Sequence, residues 1–262
     1  MFPLGFLIPM NIKSFNKLPI GEIRYFNTIG STNDVALVWA TEDAPNLSIV
    51  IADEQTAGRG RLNRKWFTPK GSALAFSVIL HPVSITHLSR TVGLAALSIA
   101  DACSQLGLSP QIKWPNDILL NGKKTAGILI ETVWAGDQVT AIVIGMGINI
   151  LKESVPVAEN LKFPATSIEN ELGYPVEREQ FLKDVLSSLL KRLPEIETDG
   201  FLASWESQLA YKQQSVQIIT GTNETPSGVL LGLESDGGLR LRDENGKEFT
   251  VHYGDVSLRP MA

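Results

Sequence analysis

The chain is 262 residues long, 44% apolar and 19% charged, with a formal net charge of -5. That is ample material for a hydrophobic core, which argues against a disordered chain, and too acidic a balance for broad nucleic-acid binding, which needs excess Lys and Arg. One cysteine (Cys103) and three histidines (His81, His87 and His252), none at metal-ligand spacing, argue against an internal disulfide and a zinc enzyme.

Met1 to Met10 is apolar but carries Pro3 and Pro9, and it lacks the basic start and small-residue cleavage site of a signal peptide. Residues 1–20 therefore read as a flexible tail. No run approaches the ~20 apolar residues that span a bilayer, so a cytoplasmic protein is expected. Ser48 to Asp53 and Ser72 to Leu80 read as buried strands, and Leu88 to Leu106 as a helix ended by Gly107 and Pro110. Cys103 falls in that helix as packing filler. Gln111 to Trp114 is a short strand stopped by Pro115. Asn121-Gly122 marks a tight hairpin, with Gly127 to Val133 as the returning strand and Val139 to Ile150 as the next. Val176 to Leu193 and Phe201 to Tyr211 read as helices. From Ser215 onward, short strands alternate with turns at Asp236-Gly237-Gly238 and Glu244-Asn245-Gly246, the pattern of a small β-barrel. The expected division is a tail over 1–20, a main domain over 21–213 and a barrel over 214–262.

Four stretches carry candidate chemistry. In Gly58-Arg59-Gly60-Arg61-Leu62-Asn63-Arg64-Lys65-Trp66 the glycines permit close approach of backbone to ligand. Arg59, Arg61, Arg64 and Lys65 supply donors for anionic oxygens, and Trp66 adds an aromatic surface. This suits a phosphate-bearing nucleotide under a loop; a solvated basic loop or a nucleic-acid contact is the competing reading. It is not a P-loop, since G-x-x-x-x-G-K-[ST] is absent. Lys113-Trp114-Pro115-Asn116-Asp117 places polar groups at a strand-to-turn junction, or is a plain turn. Lys123-Lys124 precedes a buried strand and can aim an ammonium at a site, or is an exposed hairpin. Gly145-Met146-Gly147-Ile148-Asn149 puts glycines inside a strand, which points to close approach of a ligand or of another backbone, or to a bulge.

Taken together, in this order and spacing, these four motifs resemble the biotin–protein ligase family. Ser31-Thr32-Asn33 and Gln55 also match its pattern, and the resemblance runs over residues 25 to 150. It implies an α+β fold, a mixed β-sheet packed by helices of the class II aminoacyl-tRNA synthetase/biotin ligase type, followed by an SH3-like barrel. It also implies two half-reactions: biotin attacks the α-phosphate of ATP to give biotinyl-5′-AMP, and a lysine of a biotin carboxyl carrier protein, that of acetyl-CoA carboxylase, takes the biotinyl group. Two anions must meet, so cations are needed. The resemblance puts Arg59, Arg61, Lys113, Asp117 and Lys124 at the catalytic centre, with Mg²⁺ beside the phosphates. Biotin contacts fall to Ser31, Thr32, Asn33, Gln55, Gly58, Arg59, Gly60, Arg61, Lys124 and Gly127. Adenylate contacts fall to Arg59, Arg61, Trp66, Lys113, Asn116 and Asn149.

Gene-repressing members of the family carry a helix-turn-helix domain ahead of the Ser-Thr-Asn motif. Here about 30 residues precede it, too few for a domain with its own core. The expectation is a ligase without repressor function or specific DNA binding, acting as a monomer or homodimer. A lipoate–protein ligase shares the fold and chemistry, and is disfavoured by the Gly-Arg-Gly-Arg loop and the Ser-Thr-Asn motif. A nucleic-acid-binding module is disfavoured by the acidic balance.

Overall fold

A computed structural model describes residues 10–81, 88–157, 163–219, 226–252 and 257–260. Seven strands, β1 (Ile23–Phe26), β2 (Ser48–Ala52), β3 (Ala73–Leu80), β4 (Pro110–Lys113), β5 (Asp117–Leu120), β6 (Lys123–Ala135) and β7 (Gln138–Asn149), form one mixed sheet in the order β1-β2-β3-β7-β6-β5-β4. β1 and β2 are parallel, and every other neighbouring pair is antiparallel. Among the described residues five α-helices accompany it: α1 (Thr32–Thr41), α2 (Leu88–Gln105), α3 (Ile168–Leu172), α4 (Arg178–Arg192) and α5 (Asp199–Ser207).

The two faces of this sheet differ. Ile142, Ile144, Met146 and Ile148 of β7 and Leu74, Phe76 and Val78 of β3 join the main core with α2, α4 and α5. Helix α4 buries Phe181, Leu182, Val185, Leu186 and Leu189, a stripe at helical spacing. On the opposite face α1 buries Ala36, Trp39 and Ala40 against Val50, Ile79, Ala141 and Val143. Both faces are thus covered along β2 and β3, which is why these strands read as continuous apolar runs rather than as alternation. Helix α1 covers one end of its face and leaves the other open. Cys103 is buried in α2, and burial pushes its thiol up to about 12, consistent with a packing role.

Several boundaries depart from the sequence reading. Residues 10–20 are not a loose tail: Ile12–Phe15 form a short 3-10 turn, and Phe15 and Met10 are buried in the main core. Residues 1–9 lie outside the described residues. The returning strand begins at Lys123, not Gly127, because the two-residue turn at Asn121 (φ 49°) and Gly122 (φ 72°) lets pairing resume at once, Lys123 with Leu120. Helix α5 stops at Ser207 because the next residues pair with the sheet edge: Ile112 N donates to Gln208 O (2.7 Å) and Ala210 N to Ile112 O (2.9 Å). That covers the open edge of β4.

The C-terminal segment forms a second sheet of five antiparallel strands, β8 (Ser215–Ile219), β9 (Ser227–Leu233), β10 (Leu239–Arg242), β11 (Glu248–Val251) and β12 (Ser257–Pro260), in the order β11-β10-β9-β8-β12. Gly237 and Gly246 adopt positive φ (85° and 80°) at the two expected turns. Val216, Ile218, Leu230, Leu239 and Leu241 are continuous with the main core. Arg90 Nη1 and Nε bond to the carbonyls of Ile196 (2.9 Å) and Ser235 (2.8 Å), tying this sheet to α2.

Candidate active site

The open end of the α1 face is a cleft of about 410 Å³. Three strand glycines, Gly127, Gly145 and Gly147, lie in its floor. Ala52, Ala75, Gly147, Gly127 and Asp117 are successive register partners across β2, β3, β7, β6 and β5. One row further along, Ser77 faces Gly145. A side chain at the glycines of these rows would meet residues that line the cleft. The strand glycines thus make room for side chains rather than for an approaching backbone. A Cβ on Gly147 would overlap Trp66 Nε1 and Cε2, and one on Gly145 would overlap the amide of Asn33.

One end of the cleft is polar and neutral. Ser31 is the N-cap residue of α1, and Thr32 and Asn33 form its first turn. Thr32 N and Oγ1 donate to Gln55 Oε1 (2.8 and 3.1 Å), and Gln55 Nε2 donates to Thr68 Oγ1 (3.1 Å). Ser77 Oγ stands between Thr32 Oγ1 (2.8 Å) and Asn33 Oδ1 (2.6 Å). These groups lie on three elements, yet they form one network whose members are largely buried, and this fixes their rotamers.

The other end is cationic. Lys113, at the end of β4 and 3% exposed, has Nζ 3.9 Å from Asp117 Oδ2 and 4.2 Å from the centre of the Phe163 ring. Lys124 Nζ lies 2.5 Å from Asp117 Oδ1 and 5.4 Å from the Trp66 ring centre. Lys124 is held from its backbone, which bonds to Pro164 O (2.8 Å) and Thr166 N (2.9 Å). Asn149 Nδ2 bonds to Thr166 O (3.0 Å) and pins the same segment. Asn116 Nδ2 donates to Ile128 O (2.8 Å), which leaves its Oδ1 facing Arg61 Nη1 at 3.4 Å. Lys113 and Lys124 both face Asp117, and Arg61 lies beside Asn116 at this same end of the cleft.

The glycine-rich stretch closes over the cleft as a hairpin. Trp66 N bonds to Gly58 O (2.8 Å) and Gly60 N to Arg64 O (2.7 Å), with a 3-10 turn at Arg61–Asn63 between them. Gly58 sits behind the wall, where a Cβ would strike the Trp66 carbonyl at 2.5 Å. All the other predicted site residues line the cleft, from Ser31 to Asn149. Arg59 turns away from Asp117 and toward Glu131 and Asp34. Its hydrogen bond to Glu131, which outweighs the opposing effect of burial, raises its pKa further. The sequence reading did not name Glu131, Asp34, Ser77 or Phe163.

A fold of this kind, with a neutral polar subsite joined to a cationic one over a floor that carries strand glycines, suits an enzyme that brings two anionic reactants together. The signature of the biotin/lipoate A/B protein ligase family matches residues 25–149, and that of the biotin protein ligase C-terminal domain matches residues 214–259. The chain is similar to the bifunctional ligase/repressor BirA of Bacillus spizizenii, at 34% identity over 94% of this chain and 81% of that protein. It is also similar to the biotin–[acetyl-CoA-carboxylase] ligase of Paracoccus denitrificans, at 34% identity over 83% of this chain and 93% of that one. Among solved structures, the biotin protein ligase from Aquifex aeolicus in complex with biotin and ATP superposes with a TM-score of 0.80, at 27% identity over 92% of this chain and 99% of that one. This chain belongs to the biotin/lipoate A/B protein ligase family, and it is a ligase of the biotin–protein ligase branch.

Proposed function

We propose that this protein forms biotinyl-5′-AMP from biotin and ATP and transfers the biotinyl group to a lysine of a biotin carboxyl carrier protein. The observation that carries the reading is the joining of the Thr32–Asn33–Gln55–Ser77 network to the Arg61–Lys113–Lys124 end within one cleft. Biotin has the matching polarity: a neutral ureido ring at one end and a carboxylate at the other. With the ring at the polar end, the carboxylate reaches Lys124, and the nucleotide phosphates lie toward Arg61, Asn116 and Lys113.

A carboxylate oxygen then attacks the α-phosphorus, an O–P bond forms, the α–β bridging bond breaks and pyrophosphate leaves. Lys124, Lys113 and Arg61 offset the repulsion between the anions and the charge developing at phosphorus. Asp117 holds the two lysines at a fixed spacing, so little reorganisation is needed when the substrate arrives. In the second step the carrier's lysine amine attacks the acyl carbon, the C–N bond forms, a proton is lost and AMP leaves. Trp66 and Gly147 shape the adenine side.

Mg²⁺ was expected beside the phosphates. Among the described residues no group of three His, Cys, Asp or Glu is placed to hold a metal, and Asp117 is already matched by Lys124. The described donor set therefore does not make a protein-held metal site. The five-stranded C-terminal sheet and its family match support an SH3-like barrel over 214–262 beside a catalytic domain over 21–213. No described helix is long and apolar enough to cross a membrane.

Titration calorimetry with biotin and with lipoate tests the substrate assignment. Saturable biotin binding, with lipoate at least tenfold weaker, is expected. Tighter binding of lipoate would transfer the protein to the lipoate branch of the family.

A further inference from the structure

Arg59 and Arg61 of the glycine-rich loop do different things. Arg61 faces Asn116 inside the cleft, at 3.4 Å. Arg59 presents its planar fork to Glu131, Nη1 to Oε1 at 2.9 Å and Nη2 to Oε2 at 2.7 Å, and Nη2 also reaches Asp34 Oδ1 at 2.7 Å. One positive charge thus faces two negative ones. This triad adds no positive potential for a phosphate; it is the geometry of a bidentate clamp.

Glu131 holds something else as well. Its Oε2 accepts from Asn33 Nδ2 at 2.7 Å. Asn33 Oδ1 accepts from Ser77, and the Asn33 amide lies over Gly145 on the cleft floor. Glu131 stands in the middle of β6, paired to Val143 of β7, so its backbone does not move with the loop. A single strand-borne carboxylate therefore touches both the side chain that anchors the loop and the side chain that defines the polar subsite.

We propose that Glu131, assisted by Asp34, is a positioning residue: it latches the glycine-rich loop shut through Arg59 and sets the orientation of Asn33. Arg59 orders the loop, and the nucleotide phosphates are met by Arg61 and the lysines. The consequence for substrate rests on the biotin reading; the latch itself does not.

The test uses the full chain without ligand. Trypsin cleavage after Arg61 and Arg64 reports opening of the loop, and the thermal midpoint reports the fold. Glu131→Gln keeps an oxygen acceptor for Asn33 but removes the charge facing Arg59. It should speed cleavage by about tenfold, the equivalent of one charge-assisted hydrogen bond, with the thermal midpoint little changed. Asp34→Asn, on a half-exposed side chain, should act in the same direction and more weakly. Arg59→Met should match Glu131→Gln, and the double variant should be no faster than either single one. A second arm compares biotin affinity in Glu131→Gln and Glu131→Ala; the alanine variant, which also releases Asn33, should bind more weakly. Unchanged cleavage in folded Glu131→Gln and Asp34→Asn would overturn the latch, as would effects of Arg59→Met and Glu131→Gln that multiply in the double variant. If biotin does not bind at all, the substrate reading fails while the cleavage arm still decides the latch.

Discussion

Gly147→Ala adds a single methyl group to the floor of the cleft. The new Cβ would fall well inside van der Waals contact of Trp66 Nε1 and Cε2, and 2.9 Å from Cδ1. Ordinary carbon contacts lie at about 3.5–4.0 Å, so the indole must retreat by roughly 1 Å. On the β6 side the ring lies close over Gly127, where only the lack of a side chain leaves room for it: a Cβ there would be 3.1 Å from Trp66 Cζ3. The ring must lift away from the floor and carry the loop with it. Overpacking of this size costs about 1–3 kcal/mol. Because Trp66 stands on a loop and not in the main core, the cost falls on the shape of the cleft: about 10- to 100-fold in ATP or adenylate affinity, with the thermal midpoint within a few degrees of wild type. Tryptophan emission and calorimetric titration of the nucleotide with biotin present provide the readings. Unchanged nucleotide affinity in the folded variant would refute the claim that Gly147 exists to seat Trp66.

Lys124→Ala should slow single-turnover adenylate formation by ~10²–10³, from a loss of ~2–4 kcal/mol of transition-state stabilisation; rapid-quench measurement checks it, and near-normal adenylation in a folded variant would remove Lys124 from the reaction centre. Arg61→Gly should still consume ATP in the presence of biotin but hold the adenylate one to two decades less tightly, so that bystander albumin acquires biotin on surface lysines; labelling no greater than with wild type would count against a clamping role. For stability, burial works against ionisation of Asp101, but the hydrogen bonds from Arg192 and Ser188 win and hold its pKa below the ordinary carboxylate value. A depressed folded pKa stabilises the fold above the unfolded value, near 3.9, and the benefit disappears as pH falls through the folded value. Asp101→Asn should therefore cost about 1–3 kcal/mol at neutral pH, and denaturation curves of variant and wild type should converge below about pH 4; a pH-independent gap would show that the loss is one of packing.

The residues of the cleft were legible where they form compact local motifs. Gly58 to Trp66, Lys113 to Asp117 and Gly145 to Asn149 each announce themselves by an unusual mix of glycine, charge and turn chemistry. What joins them was less visible, because it depends on sheet register. Ala52, Ala75, Gly147, Gly127 and Asp117 come from five strands, and nothing in any one strand shows that they align into one row across the sheet. Ser77 and Glu131 did leave a signal. Each is a polar residue inside an apolar strand, and a residue of that kind is buried only with a partner. Ser77 shares its strand face with Ala73 and Ala75, and that alternation of small and polar side chains within Ser72 to Leu80 could have marked the open half of the sheet. Asp34 sits beside the Ser-Thr-Asn motif but reads as an ordinary charge in a helix's first turn. Phe163 precedes a proline and carries no pattern of its own. Helix α5 ended early for a reason no periodicity contains, namely the need to cover the edge of β4.

The central claim is that one cleft activates biotin with ATP and passes it on. Pyrophosphate release by the full chain, with ATP and Mg²⁺, measured with biotin, with lipoate and with neither, tests it most directly. The account predicts a burst of pyrophosphate matching the enzyme concentration that depends on biotin, and steady turnover once a biotin carboxyl carrier domain is added. Release that does not depend on biotin, or that lipoate supports equally well, would contradict it.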